Sequence, residues 1–168
     1  GIERVTQTRL AELISHELWQ PLGVEESGFF NVDSAGYAFA NGGFNASLRD
    51  YARFGQMLAN SGIGNDRRIV PSAWIEDIFE CRPEIFGEPY NATFPRGAYR
   101  NQFWIRDANK RVIMARGIFG QLVYVDLESN FVVVKLPSPP ESLSIPRDLD
   151  TLSAIDAIGR ELGLLDPG

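Results

Sequence analysis

His16 is the only histidine in the chain, so a Ser-His-Asp relay would have one possible base, and that base sits among ordinary helical residues. Glu25-Glu26 and Asp148 with Asp150 are carboxylate pairs, placed where helix caps or loop solvation account for them. No spaced set of His, Cys and carboxylates suits a metal, and no glycine-rich phosphate loop joins a strand to a helix. Arg53 and Arg116 either bind a carboxylate or stand solvated at the surface. What remains is backbone chemistry. Residues 115–136, ARGIFGQLVYVDLESNFVVVKL, alternate like a hairpin, yet Gly117 and Gly120 interrupt the pattern. Glycine inside a strand marks either a bulge or a close approach by a ligand or another backbone. Asn41-Gly42-Gly43 is similarly two-sided: Asn41 could hydrogen-bond a substrate amide or carboxylate, or the triplet supplies turn residues at positive φ. Trp104 either faces a cleft or fills the core.

The elements that must position these residues read as follows. Leu10, Leu13, Ile14 and Leu18 have helical spacing, closed by Pro21-Leu22-Gly23. Residues 24–45 carry no steady period and read as a long loop. A second helix starts at Ser47, an N-cap with Asp50 as capping-box partner, and stops near Asn60-Ser61-Gly62. Pro71 opens a short third helix through Trp74, Ile75 and Ile78, and 81–98 read as another loop. Residues 99–105, 111–116, 117–127 and 131–136 then read as antiparallel strands. A proline-rich connection (Pro137, Pro139, Pro140, Pro146) precedes an amphipathic helix over 150–162, with Gly163 as its C-cap. Helices, then a meander, then a covering helix make an α+β pattern: an antiparallel sheet covered by a C-terminal helix, with part of a helical subdomain.

The 168 residues suit one domain or a large part of one, and 44% hydrophobic with 23% charged residues is ordinary for a globular chain. A net charge of −6 without a basic block excludes a nucleic-acid backbone as partner. No apolar run approaches the ~18 residues of a membrane span. Cys81 stands alone, which excludes an internal disulfide and a cysteine metal cluster. The start, GIERVTQTRL, is neither a signal peptide nor an initiator methionine and reads as if entered partway through a helix. Bacterial cytoplasm and periplasm both stay open as compartments.

Three stretches occur together in a distinctive order: ELWQPLGVEESGF (17–29), YAFANGGFNASLRDYARFGQMLANSG (37–62) and ARGIFGQLVYVDLESNFVVVKLPS (115–138). On these the chain resembles the C-terminal part of serine hydrolases of the penicillin-binding-protein/class C β-lactamase fold, nearest to the 6-aminohexanoate-dimer hydrolases and related esterases. The resemblance implies an incomplete β-lactamase-like domain, with 1–98 as its helical and loop part and 99–168 as its sheet and C-terminal helix. It also implies an acyl-enzyme mechanism on ester or small amide substrates, without a cofactor. In that family a Ser-x-x-Lys serine attacks, a Tyr-x-Asn tyrosine helps move the proton, and two backbone N–H groups hold the oxyanion.

The chain contains no Ser-x-x-Lys. Tyr37-Ala38-Phe39 and Tyr90-Asn91-Ala92 do not give Tyr-x-Asn, and the order of landmarks sets the family's own triplet ahead of Gly1. The expectation is half a hydrolase, inactive alone, partnered by its N-terminal half or by a second copy of the chain. The alternative is a catalytically empty relative serving as a binding or interaction module. The family's Lys-Thr-Gly strand aligns with Ala115-Arg116-Gly117, which makes the Ile118 N–H the implied oxyanion donor. Such a donor is worth ~3–4 kcal/mol in the transition state. Gly117 would leave bare backbone for the substrate. Phe119 stands where the dimer hydrolases carry histidine, giving a more apolar wall, and Gln121 completes the Gly-Gln pair. Asn41, Gly42 and Trp104 are the other implied substrate-binding residues, and no metal is implied.

Overall fold

Hydrophobic alternation between residues 98 and 135 builds the centre of the molecule. The structure, a computed structural model, describes residues 1–165, so the last three residues of the expected second part lie outside it. Five strands, β5 (Ala98–Arg100), β6 (Phe103–Asp107), β7 (Val112–Arg116), β8 (Leu122–Asp126) and β9 (Phe131–Lys135), form an antiparallel sheet in sequence order. Successive side chains alternate between its two faces. Phe103, Ile105, Ile113, Val123 and Val125 point to one side, where Met57, Leu58, Ile75 and Ile78 meet them from helices α3 (Leu48–Ala59) and α4 (Ser72–Phe79). Met114, Tyr124, Leu122 and Phe131 point to the other, against Leu152 and Ile155 of helix α6 (Ile145–Glu161) and against Phe94. Burial on both faces explains why the strands are so densely apolar.

Several elements differ from the sequence expectation. Residues 99–105 are not one strand: Asn101 and Gln102 both take positive φ (51° and 68°) and fold the segment into the β5–β6 hairpin. The second apolar run begins at Leu122, because Ile118–Gly120 form a 3-10 turn. Helix α6 starts five residues earlier than its period suggests, with Pro146 in its first turn, where a missing N–H costs nothing. The first helix is split into α1 (Ile2–Thr6) and α2 (Leu10–Ile14), which runs on as a π-helical turn over Ser15–Trp19. The two expected loops hold local structure: strands β1 (Phe29–Phe30) and β2 (Phe44–Asn45) in the first, a 3-10 turn and helix α5 (Tyr90–Thr93) in the second. A further small hairpin, β3 (Ile63–Gly64) with β4 (Arg67–Arg68), follows α3.

Ser47 caps α3 as expected, accepting from the Asp50 N–H at 3.2 Å. Asp50, however, does not reach back to the Ser47 N–H. Its fully buried carboxylate accepts from the N–H groups of Glu25 (2.9 Å) and Glu26 (3.1 Å), from the Ser47 hydroxyl (2.8 Å) and from Arg53 (3.0 Å). One side chain therefore fastens the 24–28 loop to α3. Arg53 also pairs with Glu25, so it is a structural ion and not a solvated one. Burial alone would push the Asp50 carboxyl upward, but its hydrogen bonds and the Arg53 charge hold it below its ordinary range.

The folded pKa is thus depressed, so the stabilisation from Asp50 is complete above the usual carboxylate range near ~4 and is lost as pH falls through the lower folded value. Replacing Asp50 by Ala leaves the Glu25 and Glu26 N–H groups without their acceptor, removes one of the two partners of Arg53 and is expected to cost about 2–3 kcal/mol in guanidinium unfolding at neutral pH. Unfolding followed downward from about pH 6 should show the wild type losing more stability than the variant.

Candidate active-site turn

The β7–β8 ladder runs through five consecutive pairs, from Val112↔Asp126 to Arg116↔Leu122, with no shift of register. Gly117 extends it, donating its N–H to the Gln121 carbonyl at 2.9 Å. The glycine therefore relieves no bulge. Its φ of −111° suits any residue, and an added Cβ would stand 2.7 Å from the Gln121 Oε1, which can swing away, and 3.2 Å from the Gln121 Cβ, a tight contact. Glycine at 117 is not demanded by the backbone.

Ile118, Phe119 and Gly120 cap this ladder. Phe119 takes φ 60° and Gly120 φ 73°, left-handed values that turn the chain back within three residues. The Phe119 N–H donates to the Ser142 carbonyl at 2.7 Å, tying the turn to the proline-rich connection before α6. Between these two clamps, the Ile118 N–H donates to no group among the described residues. Ile118 is 66% exposed, so the residue stands at the surface of the turn. A free N–H in a turn held on both sides is a fixed dipole available to an incoming oxygen.

Arg116, one residue before, is held by α6. It pairs with Asp148 in the first turn of that helix, and its guanidinium lies 5.0 Å from the Trp104 ring and 5.4 Å from Phe94. It is thus compensated and stacked, and offers no free cation to a ligand. Trp104 is half-buried in an aromatic group with Tyr90 (4.8 Å), Tyr99 (5.4 Å), Phe86 and Phe94, where Tyr90 and Tyr99 are about half exposed. The crevice beside Arg116, Gly117, Gln121 and Asp148 is about 20 Å³, room for one water and no substrate.

The structure brings Gly117, Ile118, Phe119 and Gln121 into one turn and connects Trp104 to it through Arg116. It does not join Asn41 and Gly42 to them by any hydrogen bond or ion pair among the described residues. Asn41 is exposed in a separate turn, closed by the Gly43 N–H on the Phe39 carbonyl, and Gly42 is surrounded by open space. Neither Gly42 nor Gly43 takes positive φ. Gly43 is needed for a different reason: an added Cβ would stand 2.8 Å from the Phe39 carbonyl oxygen.

One triplet escaped the sequence reading. Tyr99-Arg100-Asn101 has Tyr-x-Asn spacing, and the expectation that the chain lacks that pattern fails on its letters. The triplet forms the β5–β6 corner. Asn101 donates its amide to Asp77 at 2.8 Å, Arg100 makes a two-pronged pair with the same carboxylate, and the Tyr99 hydroxyl donates to Gln102. Arg100 and Asn101 lower the Asp77 pKa, in that order of effect. These contacts describe a pinned turn. His16 lies exposed on its π-helical turn. No group of three or more His, Cys, Asp or Glu among the described residues could hold a metal, and no described helix is long and apolar enough to cross a membrane.

The β-lactamase family profile matches residues 1–153. This chain belongs to the β-lactamase family. A 6-aminohexanoate-dimer hydrolase of Paenarthrobacter ureafaciens is 32% identical over 166 residues, covering 94% of this chain and 42% of that protein. A solved structure, the putative 6-aminohexanoate-dimer hydrolase from Bacillus anthracis, superposes with a TM-score of 0.83 at 30% identity over 98% of this chain. It too is covered over only 42% of its length, so this β-lactamase-family chain holds part of the fold that those relatives carry. The superposition bears out the expected architecture: mixed α and β, an antiparallel sheet, and a helix laid over it.

The two glycine environments separate by mutation. Gly117→Ala is expected to cost no more than about 1 kcal/mol, because the Gln121 amide can swing away and the tight contact with its Cβ needs only a small shift. Gly43→Ala presses on backbone and is expected to cost about 1–3 kcal/mol. Chemical unfolding of both variants checks the contrast.

Proposed function

We propose that this chain is the C-terminal portion of a serine hydrolase that cleaves esters or small amides through an acyl-enzyme, and that its contribution is the Ile118 oxyanion donor. The observation that carries this reading is the unpaired Ile118 N–H, fixed between the Gly117–Gln121 and Phe119–Ser142 hydrogen bonds. Membership of the β-lactamase family and the hydrolase relatives support it. When a hydroxyl adds to a carbonyl, negative charge grows on the carbonyl oxygen, and a donor that needs no reorganisation stabilises that charge more than the ground state.

In this reading Gly117 gives the acyl group bare backbone to lie against, with Phe119 and Gln121 beside it. Trp104 supplies an aromatic wall, and Asn41 with Gly42 borders the far side. Arg116 is already compensated by Asp148, so the substrate's acyl side is neutral and apolar and not a carboxylate. The nucleophile and its base come from outside these 168 residues, which hold no Ser-x-x-Lys. The N-terminal half of the same hydrolase is the partner that supplies them.

Fluorophosphonate labelling and p-nitrophenyl acetate turnover test the proposal, on the chain alone and after mixing with the unmatched N-terminal portion of the Paenarthrobacter ureafaciens relative. The chain alone is expected to stay unlabelled, and the mixture to label on the added portion and turn over ester. Ile118→Pro removes the donor at a position where a first helical turn tolerates proline, and should cut that turnover about 10²–10³-fold. A label on this chain itself, or turnover indifferent to Ile118→Pro, would refute it.

A further inference from the structure

We infer that Asp148 is a positioning residue for the Ile118 donor: acting through Arg116, the start of α6 fixes where the turn stands. This rests on the hydrolase reading. Apart from the Gly117–Gln121 bond, the turn holds itself weakly. The Gln121 N–H reaches the Ile118 carbonyl only at 3.5 Å, and Phe119 occupies the left-handed region, a strained place for a bulky side chain that persists only where the surroundings impose it. Residues 135–151 supply those surroundings from three points. The Ser142 carbonyl accepts from the Phe119 N–H at 2.7 Å. Lys135 and Pro137 lie beside Gly120, and Lys135 Nζ donates to the Thr151 hydroxyl on α6 at 2.6 Å. Asp148, whose own N–H is bonded to the Ser144 carbonyl at 3.0 Å in the first turn of α6, pairs with Arg116. All of these partners belong to this chain.

Arg116 is where this support meets the donor. It stands two positions before Ile118, and Asp148 is its one carboxylate partner among the described residues. The rings of Trp104 and Phe94 hold the same guanidinium from other sides, at 5.0 and 5.4 Å. A donor to a developing oxyanion works only at hydrogen-bond distance from where the charge appears, and a misplacement of 1 Å can cost about 10²-fold in rate. Loosening the turn therefore lowers kcat and leaves KM in place. Asp156 provides the contrast. It lies about two turns further along α6 and holds Arg106 of β6 through two bonds of 2.6 Å. Arg106 follows Ile105, whose partner Ile113 stands three residues before Arg116 on β7, so this brace is about 10 Å from the turn along the ladder. Both carboxylates fasten the same helix to the same sheet, and only Asp148 pairs with a residue of the turn's own approach. A merely structural role is shared by the two; a positioning role belongs to Asp148.

Nitrogen-15 relaxation of the full chain gives the backbone order parameter of Ile118. It is expected at about 0.85 in the wild type, the value of rigid backbone, and below about 0.6 in Asp148→Ala, with Asp156→Ala matching the wild type. Arg116→Gln, which breaks the pair from the strand side, should loosen Ile118 as much as Asp148→Ala does. In the mixture with the N-terminal portion of the relative, Asp148→Ala should lower kcat for p-nitrophenyl acetate about tenfold with KM within about twofold. Asp148→Glu, which keeps the carboxylate, should bring kcat back to within about threefold of the wild type, and Asp156→Ala should change neither parameter. An Ile118 order parameter unmoved by both Asp148→Ala and Arg116→Gln, equal loosening by Asp156→Ala, or a rise in KM at unchanged kcat would each overturn the inference. Absence of turnover from the wild-type mixture would sink the hydrolase reading instead, and the order parameters would still decide whether Asp148 sets the turn.

Discussion

The β7–β8 ladder is the constraint on which the rest of the molecule depends. Its five uninterrupted pairs place Ile113, Val123 and Val125 under α3 and α4, and Met114, Leu122 and Tyr124 under α6. A slip of one residue would exchange the two faces and bury neither set correctly. The same ladder ends at Gly117, so the register that fills both cores also decides where the Ile118 N–H emerges. Core and candidate site are two consequences of one pairing.

Ion pairs in this chain fasten elements together, and few of them are free to bind anything. Asp50 ties a loop to a helix, Asp77 pins the β5–β6 corner, and Asp156 holds Arg106 through two bonds of 2.6 Å from α6 to β6. Arg116 joins β7, the aromatic group and α6. These pairs span 23 to 50 residues of sequence in the cases of Asp77 and Asp156. They cross-brace a sheet whose strands are otherwise joined only to their neighbours. The chemistry left at the surface is backbone chemistry, which is why the free N–H at Ile118 stands out against so many compensated side chains.

The aromatic group around Trp104 relates this frame to the turn. Trp104 is neither a plain core residue nor an open cleft wall: one side is stacked by Arg116 and its neighbours, and the tyrosines around it remain half exposed. A compensated guanidinium gives rigidity without adding net charge. That half-exposed aromatic surface lies next to the turn in which the Ile118 N–H is held.

The sequence by itself determined the class of fold, the amphipathic helices, the Ser47 cap and the glycine-interrupted run at 117–120. All of these are written in local spacing and residue type: a helical or two-residue period, a hydroxyl before a helix, a residue without Cβ. Positive φ at Asn101 and Gln102 was less legible, because neither is glycine, and so the β5–β6 corner was read as continuous strand. Only the tertiary structure decided what each charge does. Asp50 looked like a capping-box residue, yet its oxygens serve a loop 24 and 25 residues away, and Arg116 looked solvated until α6 brought Asp148 to it. Likewise, whether Gly117 relieved a bulge depended on the register of two strands. Partners distant in sequence leave no trace in local pattern, because they are chosen by packing and not by spacing.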